Sequence, residues 1–197
     1  MIRHALPVRR EVEEGAADPE LSEIGRRQAE RVAAYVAAEA VDALYVSPLR
    51  RARETAEPIA KALGLEAVVV DGVAEMDRHS SRYIPLEEAM ADPSIDWREM
   101  WGADADQSEF RKVVVEALEG LIDRHSGHRV VVVCHGGVIN MYLGHVLGTG
   151  ARMDVFTPQY TSVNRVMASR RGHRQVHSVN ELFHLRGTDL LNWSPLK

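Results

Sequence analysis

Two histidines of this chain each follow a stretch that is typical of a short β-strand. His4 follows Arg3 at the end of the apolar start of the chain, and His135 follows the continuously apolar residues 130–134. In open α/β sheets, ligands bind beyond the carboxyl ends of the strands. The two imidazoles are therefore predicted to lie close together at one sheet edge, where a neutral imidazole nitrogen can act as a nucleophile.

Two arginines are predicted to approach the same edge. Arg3 precedes His4, and Arg51 lies in the first turn of a predicted helix that follows the apolar residues 43–46. An isolated arginine is most often a solvated surface charge. A positive charge at a helix N-terminus, however, is unfavourable unless an anion is bound there, so the position of Arg51 favours an anion site.

One carboxylate completes the predicted cluster. Glu75 is the acid at the point where the chain leaves the predicted strand 65–70, and its rivals are Asp77 and the pair Glu87/Glu88, which is predicted to face solvent. A carboxyl group beside a reacting centre can serve as a general acid. The candidates for catalysis are His4, Glu75 and His135, and the candidates for anion binding are Arg3, Arg51 and His135.

Three other chemistries fit the sequence less well. Cys134 and His135 are neighbours on a predicted strand, so their side chains point to opposite faces, and the sixth residue after the cysteine is Asn140 rather than the arginine of a cysteine phosphatase loop. Gly136-Gly137 does not extend to Gly-x-Gly-x-x-Gly. No metal and no cofactor is expected, because no carboxylate–histidine pattern accompanies the metal-like spacings His125/His128 and His173/His177.

The composition is that of an ordinary globular protein. The 197 residues fit a single domain, 1–197, with 45% hydrophobic and 27% charged residues. We expect no membrane partner and a cytoplasmic location, since no apolar run approaches the roughly 20 residues of a membrane span and no secretory leader is recognisable. A net charge of −5 does not favour nucleic-acid binding. The assembly state is left open, with a homodimer as one alternative.

Helical and strand patterns alternate along most of the chain. Helices are predicted from Ser22 to about residue 40, from Ser47-Pro48 to Gly64, and over 110–122 and 138–147, with Ser47 as an N-cap and Pro48 at the first helical position. Strands are predicted over 43–46, 65–70, 130–134, 163–168 and 175–179. This alternation predicts an α/β fold, a three-layer α/β/α sandwich with a mostly parallel central sheet.

Residues 76–108 interrupt this pattern. They contain two prolines, Trp97 and Trp101, and only a short helical suggestion over 86–91. Excursions of this length in compact domains are often lids or binding elements. We therefore expect a lid over the site, in which a basic residue meets a second anionic group of the substrate; the basic residues concerned are Arg78, His79 and Arg82.

Six stretches, taken in order, resemble the histidine phosphatase superfamily, in its phosphoglycerate mutase-like branch. They are Arg3-His4-Ala5, residues 21–29, residues 47–56, Glu75, His135-Gly136-Gly137 and residues 180–185. The resemblance implies that His4 becomes phosphorylated, that Arg3 and Arg51 hold the phosphoryl oxygens, that His135 contacts the transferring group, and that Glu75 protonates the leaving oxygen. It implies a small-molecule phosphorylated substrate and a metal-independent phosphatase. The alternatives are a phosphoglycerate mutase-type phosphoryl transfer and a weakly active phosphate-binding regulatory module.

The sequence departs from the family pattern at three places. Ala5 stands where the family has glycine, which is tolerable unless the backbone there needs a positive φ. The first strand is very short. The threonine and asparagine that follow the triplet in many members are absent, and Arg9 or Arg10 is a candidate to replace them.

Overall fold

The computed structural model describes residues 1–96 and 106–191. Its strands are β1 (Ile2–Arg3), β2 (Arg10–Glu11), β3 (Ala43–Val46), β4 (Ala67–Val69), β5 (Arg82–Tyr83), β6 (Val130–Cys134), β7 (Val163–Ala168) and β8 (Arg174–Glu181). The main sheet has the order β4-β3-β6-β1-β7-β8, and β2 pairs with β5 separately. The strands from β4 to β1 are parallel to one another, and β7 and β8 are antiparallel additions. The predicted mostly parallel sheet is confirmed.

Helices cover both faces of this sheet. They are α1 (Glu23–Val36), α2 (Arg50–Leu63), α3 (Leu86–Ala91), α4 (Ser108–Arg124) and α5 (Gly136–Leu147). Alternate residues of β6 divide between two apolar clusters: Val131 and Val133 pack with α1 and α2, whereas Val132 and Cys134 pack with α4 and α5. This division explains the continuous apolar run of β6 and confirms the three layers. Within the described part of the chain, no helix is long and apolar enough to cross a membrane.

The two helices that flank the site begin in different ways. Helix α1 begins as predicted, since the Ser22 hydroxyl accepts a hydrogen bond from the Gly25 N–H at 3.0 Å. The prediction that Ser47 and Pro48 open α2 is wrong, because the helix begins at Arg50 with no side-chain cap from its N-cap residue. The carboxylate of Asp18 instead accepts the Arg50 N–H at 2.8 Å. A carboxylate distant in sequence thus caps α2, while the Ser47 hydroxyl accepts the Leu49 N–H at 3.3 Å just before the helix.

Strand β1 is as short as the sequence predicts, and it leaves a gap in the sheet. It pairs with β6 on one side and β7 on the other, but only through Ile2 and Arg3. Among the described residues, no strand continues between residues 130–132 and residues 165–168, and a cleft of about 1070 Å³ opens there. The cleft lies at the amino end of β1, whereas His4 lies at its carboxyl end, so the two are at opposite edges of the sheet.

Candidate active site

His4 lies at the carboxyl end of β1 and is buried as a neutral imidazole. Its Nδ1 is 2.8 Å from the carbonyl oxygen of Ala5. Because a carbonyl oxygen can only accept, Nδ1 carries the ring proton and Nε2 keeps its lone pair. Burial, followed by the charges of Arg51 and Arg3, lowers the pKa of His4 well below 6.5. The imidazole of His4 is therefore neutral near pH 7, with a lone pair available on Nε2.

The loop that follows His4 is fixed by α1 and α2. The Ala5 N–H donates to Thr55 Oγ1 and the Leu6 N–H donates to Gln28 Oε1, both at 2.9 Å. A Cβ at Gly25 would lie 2.0 Å from the Leu6 carbonyl oxygen, so α1 can approach the loop only with glycine there. Ala5 does not have a positive φ, and alanine therefore replaces the family glycine without backbone strain.

Two buried arginines present unpaired N–H groups. Arg3 is 2% exposed, donates to the Pro158 carbonyl at 2.7 Å, and lies with its guanidinium 3.9 Å from the centre of the Tyr160 ring. Arg51 is 1% exposed and packs at 4.6 Å from the Tyr83 ring. The Nε atoms of both arginines lack a hydrogen-bond partner among the described residues. A buried donor without a partner costs about 1–3 kcal/mol, which a bound oxyanion would offset.

His135 lies beside His4, with the two ring centres 5.0 Å apart. Its Nε2 is 2.7 Å from Ser47 Oγ, while Nδ1 is buried and has no partner among the described residues. Burial, Arg51 and His4 lower the pKa of His135 well below 6.5. His135 is thus a neutral ring that Ser47 orients.

Glu75 lies directly before the segment 76–108, and its side chain belongs to the same cluster. Its Oε2 accepts the Gly137 N–H at 2.8 Å, and Oε1 accepts the Met76 N–H at 3.1 Å. A Cβ at Gly137 would lie 2.3 Å from Oε1, so glycine is required for this approach. Burial, followed by the charge of Asp77, raises the pKa of Glu75 to about 7. The carboxyl group can therefore donate a proton near neutral pH and take one back.

Cys134 is not a nucleophile in this structure. It is fully buried and belongs to the apolar cluster beneath α4 and α5. Burial raises the pKa of its thiol to about 12. The thiolate that nucleophilic attack needs is therefore absent near neutral pH.

Several basic residues that the sequence placed near the site bind other partners. Arg9 donates to Glu11 at 3.0 Å and Arg10 to Glu20 at 3.2 Å, in exposed contacts, so neither takes the place of the missing threonine and asparagine.

The three basic residues predicted to meet the substrate from the segment 76–108 also lie at the surface. Arg78 pairs with Asp71 at 3.5 Å, and both His79 and Arg82 are exposed. Of the Glu87/Glu88 pair predicted to face solvent, Glu87 instead has a buried Oε2.

The structure brings the five predicted residues to one sheet edge: His4, Arg3, Arg51, Glu75 and His135. Sequence reasoning missed four further residues, which are Ser47, Asp77 as the partner of Arg51, Tyr83 and Tyr160. The position of Ser47 directly after β3 was an available signal, since β3 ends at the same edge. In the described part of the chain, no group of three or more histidine, cysteine or acidic side chains could hold a metal ion.

This fold places two buried arginines with unpaired Nε atoms beside the neutral imidazole of His4, an arrangement that suits the binding of an oxyanion. The sequence model of the histidine phosphatase superfamily (branch 1) matches residues 1–183, and the chain belongs to that superfamily. The predicted family is confirmed.

Relatives and solved structures agree with this assignment. The chain is 34% identical to phosphoserine phosphatase 1 of Hydrogenobacter thermophilus over 148 residues, which are 68% of this chain and 69% of that protein. It is 33% identical to phosphoglycerate mutase-like protein 4 of Arabidopsis thaliana over 191 residues, 90% of this chain and 81% of that protein. A structure of phosphoserine phosphatase from Entamoeba histolytica with 3-phosphoglyceric acid has a TM-score of 0.72 at 25% identity, and the match covers 93% and 96% of the two chains. The prediction of a histidine phosphatase enzyme is confirmed at the level of the family.

Proposed function

We propose that the protein hydrolyses small phosphomonoesters, without a metal ion, through a phosphohistidine at His4. The observation that carries this proposal is the neutral His4, which keeps a lone pair on Nε2 between two buried arginines with unpaired N–H groups. The name of the Hydrogenobacter relative, a phosphoserine phosphatase, supports hydrolysis as the outcome.

The reaction takes place in two steps. In the first, His4 Nε2 attacks phosphorus, the bond to the leaving oxygen breaks, and Glu75 transfers its proton to that oxygen. In the second, water attacks phosphorus, the bond between phosphorus and His4 Nε2 breaks, Glu75 takes a proton from the water, and inorganic phosphate leaves. Arg3, Arg51 and His135 stabilise the charge on the phosphoryl oxygens in both steps, a role that fixed buried donors perform better than water does.

The proposal is tested by hydrolysis of p-nitrophenyl phosphate, followed by a panel of alkyl phosphomonoesters. We expect turnover that persists in excess EDTA, because no step uses a metal ion. The His4→Ala variant should retain its fold and lose turnover. Loss of activity in EDTA with recovery on metal addition would contradict the mechanism.

Phosphoryl transfer of the mutase type is the second candidate. The similarity to the mutase-like protein of Arabidopsis extends over more of this chain than the similarity to the phosphatase does. A mutase returns the phosphoryl group to a hydroxyl of the substrate, whereas a phosphatase delivers it to water. Incubation of a labelled phosphoglycerate and separation of isomerised ester from inorganic phosphate distinguishes the two. A purely regulatory phosphate-binding role has less support, since phosphate binding does not require a protonatable Glu75.

We also propose that residues 76–108 form a lid on a single domain. The excursion is joined to the loop after His4 through the pairing of Arg10 with Tyr83, and Tyr83 contacts Arg51. Trp97 and Trp101 lie outside the described residues.

The cytoplasmic location, the phosphorylated small-molecule substrate and a homodimer stay predictions, which fractionation, substrate profiling and sedimentation can test.

A further inference from the structure

The carboxylate of Asp77 forms an ion pair with Arg51, the arginine that would hold the phosphoryl group. Arg51 Nη2 donates to Asp77 Oδ1 at 2.7 Å. The guanidinium is almost fully buried, whereas the Asp77 side chain is 32% exposed. The arginine also lies close enough to both histidines for its charge to lower their pKa values. Asp77 thus contacts the functional end of Arg51 from the solvent side of the pocket.

Asp77 shares a turn with Glu75. Glu75 is the N-cap of a single turn of 3-10 helix, Met76–His79, which includes Asp77. The Arg78 N–H donates to the Glu75 carbonyl at 3.2 Å, and the Ser80 N–H donates to the Asp77 carbonyl at 2.8 Å. Asp77 and Glu75 therefore lie in one turn, and the negative charge of Asp77 contributes to the raised pKa of Glu75.

We propose that Asp77 is a positioning residue that holds Arg51 in the empty pocket and is displaced by the phosphoryl oxygens when substrate binds. This inference rests on the proposed function. A phosphomonoester dianion accepts from a guanidinium through two oxygens, and such bidentate charge-assisted bonds are stronger than a single contact to a carboxylate. The partly exposed Asp77 side chain can rotate into water, whereas the guanidinium of Arg51 is almost fully buried.

This exchange has two consequences for the substrate-free enzyme. Phosphate must compete with Asp77, so its affinity is lower than two buried arginines alone would give. Asp77 also helps to keep Glu75 protonated before substrate arrives, because its negative charge disfavours a second one nearby. The other charged or titratable groups around Glu75 are Arg51 on α2, Arg3 on β1 and Cys134 on β6.

The test uses the intact chain with Asp77→Asn, which keeps the shape of the side chain and removes its charge. We expect inorganic phosphate to bind roughly three- to tenfold more tightly by calorimetry, since a competing ion pair has been removed. We also expect KM to fall more than kcat changes, and the basic limb of kcat/KM to move to lower pH because Glu75 loses its proton more readily. Asp77→Glu, which keeps the charge, should restore wild-type phosphate affinity.

The matched control is Asp71→Asn. Asp71 pairs with Arg78 close to the same turn, but it is 81% exposed, so phosphate affinity and the pH profile should not change. Unchanged or weaker phosphate binding by a folded Asp77→Asn variant would overturn the proposal and show that Asp77 is a permanent support of Arg51. Phosphate binding does not require turnover, so this result is distinguishable from failure of the proposed hydrolytic function.

Discussion

Burial decides the protonation states of two pocket groups, the imidazole of His4 and the carboxyl group of Glu75. Burial lowers the pKa of His4 well below 6.5 and raises the pKa of Glu75 to about 7. The first effect keeps the nucleophile neutral, and the second keeps the acid protonated up to neutral pH. Opposite pKa shifts of this kind indicate which group can act as the nucleophile and which can act as the proton donor.

The pH dependence of kcat/KM follows from these two values. The general acid must carry its proton, so we expect kcat/KM for an alkyl phosphate to fall as pH rises through about 7, the pKa of Glu75. The acidic limb, which reports protonation of His4, should lie well below pH 6.5. The measurement is a full pH profile of wild type and Glu75→Gln, and the variant should lack the basic limb.

The role of Glu75 as proton donor can be separated from a role in binding. Glu75→Gln should lower kcat/KM for alkyl phosphates by about 10²–10⁴-fold, because an alkoxide leaves poorly without a proton. Nitrophenolate leaves easily, so hydrolysis of p-nitrophenyl phosphate should fall far less. An equal loss on both substrates would mean that Glu75 orients the substrate, and the donor would then be sought at Asp77 or His135.

The sequence predicted which candidate residues meet at the sheet edge better than it predicted the residues that contact and orient them. His4, Arg51 and His135 each follow a strand or open a helix, and that local position was enough to find them. Ser47 also follows a strand, but its local pattern equally fits a helix cap. The contact between Asp77 and Arg51 joins residues 26 positions apart across a turn, and no local pattern encodes it.

At the scale of elements, β1 is one of three two-residue strands in the described part of the chain, and it pairs with both β6 and β7. Met1 exchanges two hydrogen bonds with Asn164, through its amino group and its carbonyl oxygen, both at 2.8 Å. Burial lowers the pKa of this amino group. The cleft beyond it is walled by Val36 and Val41 on one side and by the α4 residues Leu118 and Leu121 on the other.

At the scale of the whole molecule, the two apolar clusters share the strands of one sheet. Val131 and Val133 belong to the first cluster, and Val132 and Cys134 belong to the second. Neither layer can lose its helices without exposing β6. The two layers are therefore expected to unfold together, and the single domain over 1–197 stays a prediction.

Thermal unfolding should accordingly be a single cooperative transition. We expect the calorimetric enthalpy of unfolding to equal the van't Hoff enthalpy, as for a two-state domain. Differential scanning calorimetry at several scan rates, with a check of reversibility, gives both quantities. Two resolved transitions would show that the α1–α2 layer and the α4–α5 layer unfold independently.

If the phosphoryl group passes through His4, a phosphohistidine at this residue can be trapped during turnover. The enzyme is mixed with a ³²P-labelled phosphomonoester, quenched in alkali within milliseconds, digested and mapped by mass spectrometry. We predict label on the peptide that contains His4, in a linkage stable to base and labile to acid, and its absence from the His4→Ala variant. Label that persists in His4→Ala, or that maps to His135 or Cys134, would contradict the account.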